Sequence, residues 1–235
     1  VFNCAGYVDH AGYFAGGKKA LDQHFTLVKN LVDHLNWDSI ESFVQLGSSD
    51  EYGSHHAPQH EDLREQAISP YSCGKSLATH FLQMLHRTED FPAITLRLFL
   101  TYGPGQDQHR FFPQIIKGCL EGRSFPTSAG EQLRDFCYVE DVVDAIFLSF
   151  DTTQARGEVL NIASGQPVSI RKMIEIVKGL IGKGEPTFGE IPYRTGENMC
   201  LYADTQKAYE ILGWSNKYSL ERGLQKTISW YSENG

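Results

Sequence analysis

Apolar and polar residues alternate in blocks along the first hundred residues. Short apolar runs ("VFNCA", "SFVQLGS" and "AITLRLFLTYG") are separated by two longer segments with apolar residues at helical spacing. The first segment covers residues 17–36, and the second is "SPYSCGKSLATHFLQMLHR", where Ser69 is a good N-cap and Pro70 fits the first helical position. Buried strands that alternate with amphipathic helices predict an α/β fold with a doubly wound parallel sheet.

The pattern changes after about residue 105. Four further segments read as helices, one short run reads as a strand ("GEVLNIAS"), and the loops between them carry isolated Arg, Gly and Glu. There is no repeat and no long linker. We therefore expect residues 1–105 to form a sheet domain, and residues 106–235 to form mainly a smaller lobe with some segments that return to the sheet.

Composition excludes several classes of protein. The net charge of −8 argues against a nucleic-acid scaffold, which needs a basic surface. No apolar run reaches the ~18 residues of a membrane span. The cysteines are odd in number and lack a Cys-x-x-Cys pair, which favours reduced thiols in a cytoplasmic protein and no metal site. They are Cys4, Cys73, Cys119, Cys137 and Cys200.

Tyr71 and Lys75 are the first candidates for chemistry. Residues four apart on a helix lie on one face, so both side chains can reach the same ligand. Ligands of doubly wound folds bind beyond the carboxyl ends of the strands, and small or hydroxyl-bearing residues follow two of the predicted strands. These residues are Ala5, Gly6, Ser48 and Ser49. The spacing by itself leaves open whether the pair takes part in proton transfer or is simply two amphipathic residues on a helix.

Five segments, in order, resemble the NAD-dependent epimerase/dehydratase family of extended short-chain dehydrogenases/reductases, which modify nucleotide sugars. They are "FVQLGSSDEYG", "SPYSCGK", "RLFLTYGPGQ", "GEQLRDFCYVEDVVDA" and "PYRTGEN…YAD…KAYEILGW". The resemblance implies a Rossmann-like domain followed by a substrate-binding lobe. It also implies NAD or NADP as cofactor, a nucleoside-diphosphate sugar as substrate, and a homodimer built through the helices of residues 17–36 and 70–88.

The resemblance also assigns roles to single residues. Tyr71 looks like the family's acid/base, supported by Lys75 and by Ser48, which matches the hydroxyl residue that bonds the reacting sugar oxygen. The cofactor would contact Ala5, Gly6, Tyr71, Lys75 and Phe99. The substrate would contact Ser49, Asp50, Arg134 and Arg194, with the two arginines on its diphosphate, since the guanidinium fork suits that anion.

The glycine-rich turn of the family is the main departure. None of the 22 glycines gives a Gly-x-x-Gly-x-x-Gly or Gly-x-Gly-x-x-Gly spacing. "VFNCAG" corresponds to the family's fourth strand, so we expect roughly 60–70 further residues, about two βα units, to precede it. Without that turn the chain should bind NAD weakly, and a non-catalytic nucleotide-sugar-binding or interaction module stays the alternative. Leu100 replaces an Asn of most relatives.

The turn after the second predicted strand bears on the reaction. Family 4,6-dehydratases carry an Asp-Glu pair there, and counting back from Tyr52 places that pair on Ser49 and Asp50 unless the alignment slips by one. We therefore expect a carbon-4 epimerase or a 4-ketoreductase rather than a dehydratase. A serine hydrolase is disfavoured because no Gly-x-Ser-x-Gly elbow is present. The base, the sugar and the choice between NAD and NADP stay open.

Overall fold

The computed structural model describes residues 1–193 and 197–234. The strands in these ranges are β1 (Phe2–Asn3), β2 (Phe43–Ser48), β3 (Ala93–Leu98), β4 (Leu100–Tyr102), β5 (Ser124–Thr127), β6 (Leu133–Tyr138), β7 (Val159–Ile162), β8 (Pro167–Ser169), β9 (Glu185–Phe188) and β10 (Cys200–Leu201). The α-helices are α1 (Gly17–His34), α2 (Pro70–Glu89), α3 (Phe111–Leu120), α4 (Val139–Asp151), α5 (Ile170–Ile181), α6 (Gln206–Leu212) and α7 (Leu220–Asn234).

The first of two compact units holds a four-stranded parallel sheet. The unit comprises residues 1–99, 143–162 and 203–215. Its strands lie in the order β1-β2-β3-β7, and every neighbouring pair is parallel. Parallel neighbours need crossover connections, and α1 and α2 provide them for the first three strands. The α/β fold with parallel strands that the sequence predicts is confirmed.

Helix α2 begins at the predicted residue. The Ser69 hydroxyl accepts a hydrogen bond from the Ser72 backbone N–H at 3.1 Å, and the Ser72 hydroxyl accepts one from the Ser69 N–H at 3.0 Å. Pro70 occupies the first turn, where its missing N–H costs nothing. A reciprocal cap of this kind fixes the start of a helix, and it therefore fixes which residues follow in the first turn.

Apolar packing between α1, α2 and the sheet fixes the inner face of α2. The core here contains Val28, Val32, Phe43, Leu82 and Phe91, each about 1% exposed or less. Burial of one such side chain stabilises the fold by about 1.5–3 kcal/mol. With Leu82 anchored in this core, the helix cannot rotate about its axis.

The segment read as one strand over residues 93–102 is two strands. β3 ends at Leu98 and pairs with β2 and β7, whereas β4 begins at Leu100 and pairs with β6. Apolar residues continue through the break, because Phe99 between the two strands is itself buried and donates its backbone N–H to the Ile162 carbonyl at 3.1 Å. Hydrophobicity gave no signal for the change of partner strand.

The second unit comprises residues 100–142, the described part of 163–202, and 216–234. β6 lies between β10 and β4, both parallel to it, and also pairs with β8 in antiparallel fashion, while β5 and β9 form a separate parallel pair. Its core includes Tyr102, Phe112, Ile116, Met173 and Leu224. Among the described helices, none is long and apolar enough to cross a membrane.

Candidate active site

Tyr71 and Lys75 lie together and are almost fully buried. The residues are 5% and 7% exposed, and the Lys75 Nζ lies 6.0 Å from the centre of the Tyr71 ring. Lys75 Nζ also donates a hydrogen bond to the Leu46 carbonyl of β2 at 2.9 Å. The helix spacing therefore brings the phenol and the ammonium group to one place beside the second strand, as Tyr-x-x-x-Lys predicts.

Two effects act on the pKa of Lys75 in opposite directions. Burial lowers the pKa of Lys75, and the negative charge of Glu51 works against that reduction. This buried ammonium group lies 6.0 Å from the centre of the Tyr71 ring. Such a cation favours the ionised form of a neighbouring phenol.

Tyr52 is a second buried tyrosine near this region, but its burial and its hydrogen bond keep it from acting in proton transfer. Its hydroxyl donates to Asn161 Oδ1 at 2.7 Å, and the residue is fully buried. Burial raises the pKa of Tyr52 to about 12, although the positive charge of Arg97 acts in the opposite direction. Tyr52 therefore remains protonated near neutral pH and acts as a structural hydrogen-bond donor.

Ser48, Ser49 and Asp50 form the turn that follows β2. The Ser48 hydroxyl accepts from the Asp50 N–H at 3.2 Å, which caps the 3₁₀ turn Ser49–Tyr52 and leaves the hydroxyl proton to donate elsewhere. Ser49 is buried, whereas the Asp50 carboxylate is about one-third exposed and lies 3.8 Å from His10 Nε2. Of these residues, Asp50 is the more open to a ligand.

Ala5 and Gly6 border the cavity next to Lys75. Gly6 has φ +142°, and a Cβ built there would lie 2.8 Å from His24 Cε1 and 3.6 Å from Lys75 Nζ. Only glycine adopts this backbone and leaves that space open. The adjacent cavity measures about 260 Å³ and is lined by Ala5, Gly6, Tyr7, Gln23, His24 and Leu27. Small residues at Ala5 and Gly6 would let a dinucleotide approach the backbone, so this stretch fits the prediction that an NAD-type cofactor contacts it.

Two histidines that the sequence did not single out flank the Tyr71 ring. The His24 ring approaches it edge-on at 4.9 Å between centroids, and the His10 ring does so at 5.7 Å. His24 Nε2 lies 2.8 Å from the Tyr7 carbonyl, and since a carbonyl can only accept, Nε2 carries the proton. His24 falls in the apolar stripe of α1 with Ala20 and Val28, and a polar residue in such a stripe was the available signal.

The predicted substrate residues of the second unit are only partly described. Arg134 on β6 is buried, donates Nη1–H to the Leu133 carbonyl at 2.8 Å, and forms an ion pair with Glu197 through Nη2. Arg194 lies outside the described residues. Phe99, predicted to contact the cofactor, is buried with its ring 6.3 Å from that of Tyr52.

Comparison with known proteins identifies the family. Residues 1–163 match the NAD dependent epimerase/dehydratase family, and the chain belongs to that family. It is 28% identical over 217 residues to the UDP-glucuronate 4-epimerase of Thermodesulfobacterium geofontis, and 29% identical over 174 residues to dTDP-glucose 4,6-dehydratase 1 of Escherichia coli. The UDP-glucuronic acid 4-epimerase of Bacillus cereus, solved with UDP-glucuronic acid and NAD, superimposes with a TM-score of 0.88 at 25% identity, over 98% of this chain and 74% of that one.

The chain is shorter than these relatives. The match to the Thermodesulfobacterium protein covers 91% of this chain and 66% of the relative, and the match to the E. coli dehydratase covers 71% of this chain and 48% of the relative. The chain therefore spans about two thirds of the first of these relatives and about half of the second. Family membership follows from these matches, and the reaction and substrate are taken up as proposals below.

The environment of His24 gives a prediction about stability and pH. Burial lowers the pKa of His24, the charge of Lys75 lowers it further, and the hydrogen bond to Tyr7 acts in the opposite direction. As the pH falls below about 6.5, His24 becomes protonated in the unfolded chain but stays neutral in the folded chain until a lower pH. We expect the free energy of unfolding to fall with decreasing pH, with a contribution from His24 of up to about 1.4 kcal/mol per pH unit.

Chemical denaturation at several pH values between 7.5 and 5 would measure this contribution. In His24→Asn the slope should be shallower than in the wild type, whereas the exposed His34→Asn on the same helix should keep the wild-type slope. Identical slopes in all three proteins would show that His24 does not couple folding to pH.

Proposed function

We propose that this protein is an NAD(P)-dependent oxidoreductase that acts at carbon 4 of a nucleoside-diphosphate hexose, as an epimerase or a 4-ketoreductase. The observation that carries the proposal is the buried Tyr71–Lys75 pair beside Gly6, in a chain that belongs to the NAD dependent epimerase/dehydratase family. The names of the two relatives given above describe enzymes that act on a UDP-sugar and on a dTDP-sugar.

Tyr71 would exchange a proton with the sugar hydroxyl at carbon 4. A bound nicotinamide supplies the hydride chemistry that this proton transfer accompanies. A free tyrosine titrates near 10, so Tyr71 needs a nearby cation to work as a base near neutral pH, and Lys75 is that cation. Ser48, whose hydroxyl proton remains available, would donate to the same sugar oxygen and hold it at the phenol.

The turn after β2 favours epimerisation or ketone reduction over water elimination. An elimination needs a carboxylic acid and a carboxylate facing the sugar, but Ser49 stands where the first would be. If the alignment slipped by one residue, the pair would be Asp50 and Glu51. Glu51, however, is fully buried and accepts hydrogen bonds from Arg97, Thr79 and the Ser48 backbone, which leaves it no free face for a substrate.

The proposal also covers the substrate contacts, the location in the cell and the oligomeric state. Arg134 would bind the diphosphate of the sugar nucleotide, and Asp50 would contact the sugar from the turn. We place the protein in the cytoplasm, as a homodimer in its working state. A substrate screen would identify the cofactor, the base and the sugar. It would test UDP- and dTDP-hexoses with NAD and with NADP, and would separate the products by their configuration at carbon 4.

The first prediction concerns Tyr71. Tyr71→Phe should lower kcat by about 10²–10⁴-fold, the range lost with a general acid/base, while sugar-nucleotide affinity stays within about threefold because the ring still packs. Turnover and calorimetric binding are the two measurements.

Tyr209→Phe, an exposed tyrosine on α6, is the matched control and should behave as the wild type. If Tyr71→Phe kept more than about a tenth of wild-type kcat, Tyr71 would not be the acid/base. If the wild type bound sugar nucleotides without turning any of them over, the non-catalytic binding module would be the better reading.

The second prediction concerns Arg134. Arg134→Ala should weaken the binding of UDP itself by roughly 10–100-fold, since a charge-assisted hydrogen bond contributes about 1.5–3 kcal/mol. Binding of uridine, which lacks the diphosphate, should change little. Arg123→Ala removes an exposed arginine paired with Glu121 and serves as the control. Equal losses for UDP and uridine would mean that Arg134 supports the fold and not the anion.

The third prediction concerns the homodimer. Leu77 and Met84 on α2 are 44% and 39% exposed, and an apolar groove runs along the neighbouring α1 beside Leu27, Leu31 and Leu35. We expect sedimentation at micromolar concentration to give a dimer, and the Leu77→Glu/Met84→Glu variant to give a monomer. Leu148→Glu, which places the same charge on exposed α4, should remain dimeric. A monomeric wild type would contradict the proposal.

A further inference from the structure

Glu51, in the turn after β2, is a carboxylate that is completely removed from solvent. It lies next to the guanidinium group of Arg97 on β3, which is also 0% exposed. Arg97 Nε donates a hydrogen bond to Glu51 Oε2 at 3.1 Å, and Arg97 Nη2 lies 3.1 Å from the same oxygen in an ion pair. Neither residue belongs to the binding or proton-transfer groups proposed above.

The other bonds of Glu51 reach the elements that carry the proposed catalytic residues. Its Oε1 accepts the backbone N–H of Ser48 at 2.8 Å, and its Oε2 accepts the hydroxyl proton of Thr79 at 2.8 Å. Thr79 lies one helical turn beyond Lys75 and two beyond Tyr71, on the same face of α2. One carboxylate therefore joins the end of β2, the inner face of α2 and β3.

The surroundings hold this carboxylate in one position. A Cβ at residue 47 would lie 2.7 Å from Glu51 Oε1, so Gly47 leaves the room that the carboxylate occupies. Arg97 is fixed in turn by the Tyr52 ring, 4.6 Å from its guanidinium carbon, and by an ion pair with Glu65. A group with this many constraints cannot turn toward a substrate, but it can fix the groups that do.

The charge of Glu51 also acts on Lys75. The charged or titratable groups that face Lys75 are Glu51 from the turn, His24 from α1 and Tyr71 from α2 itself. Of these, Glu51 favours the cationic form of Lys75, whereas burial opposes it. Glu65, the second carboxylate on Arg97, has no such contact with Ser48 or Thr79 among the hydrogen bonds of the described residues.

We propose that Glu51 is a positioning residue: its carboxylate fixes the backbone of Ser48 against Thr79 of α2, one helical turn beyond Lys75. The inference rests on the proposed function, since it assigns Glu51 a part in that reaction. Glu51 acts through Ser48 and Lys75 and touches no reacting atom.

The test compares Glu51→Gln with Glu65→Gln, because each removes one carboxylate from the same arginine. The first measurement is an NMR titration of the Lys75 side chain in the cofactor-free protein, with the signal assigned from Lys75→Met. We expect the Lys75 pKa to fall in Glu51→Gln and to stay at its wild-type value in Glu65→Gln. The second measurement is the pH profile of kcat, where Glu51→Gln should lose at least about tenfold and Glu65→Gln less than about twofold.

Glu51→Gln leaves Arg97 with one carboxylate fewer and can fail to fold, so Glu51→Gln/Arg97→Gln is the second variant. It removes both charges of this pair, while Glu65 keeps His80 as a partner. The Lys75 pKa should fall by less there than in Glu51→Gln, because the positive charge of Arg97 is lost as well. A folded Glu51 variant with wild-type Lys75 titration and wild-type kcat would overturn the inference, as would equal effects in Glu51→Gln and Glu65→Gln. A shifted Lys75 titration in a protein that turns over no sugar nucleotide would support the role of Glu51 and reject the proposed reaction.

Discussion

The burial of the Lys75 ammonium group is the constraint around which the first unit is arranged. A cation leaves water only where hydrogen bonds and opposite charge offset the lost hydration. The Leu46 carbonyl provides a hydrogen bond at 2.9 Å, and Glu51 provides the charge. A Cβ at Gly6 would lie 2.8 Å from His24 Cε1 and 3.6 Å from Lys75 Nζ, so the close packing beside the buried cation requires glycine at this position.

This arrangement depends on α2 as a rigid carrier. The Ser69 cap fixes where the helix starts, and the apolar core under Leu82 fixes its rotation. Tyr71, Lys75 and Thr79 then follow one another along the face that meets β2 and the turn after it. A helix that was free to rotate would turn the phenol and the ammonium group together away from β2 and the turn after it. The stability of this core and the proposed proton transfer therefore depend on the same contacts.

The chain belongs to the NAD dependent epimerase/dehydratase family, and its relatives include both a 4-epimerase and a 4,6-dehydratase. A shared scaffold can support different reactions when the side chains after one strand differ. In this protein the Asp50 side chain of that turn is about one-third exposed, whereas Glu51 is fully buried against Arg97. The inward carboxylate is what favours carbon-4 chemistry over elimination in our proposal, since a group enclosed by donors is not free to take a proton from a sugar.

The sequence by itself determined the features that depend on near neighbours along the chain. Periodicity predicted α1, the cap predicted the first residue of α2, and the Tyr-x-x-x-Lys spacing placed Tyr71 beside Lys75. Only the tertiary structure decided the pairing of Glu51 with Arg97, which lies 46 residues away, the approach of His24 to Tyr71, and the change of partner strand at Phe99. A cap or a helical face is set by residues within about four positions of each other. The partner of a buried charge is set by which strands and helices pack together, and no local pattern in the chain encodes that choice.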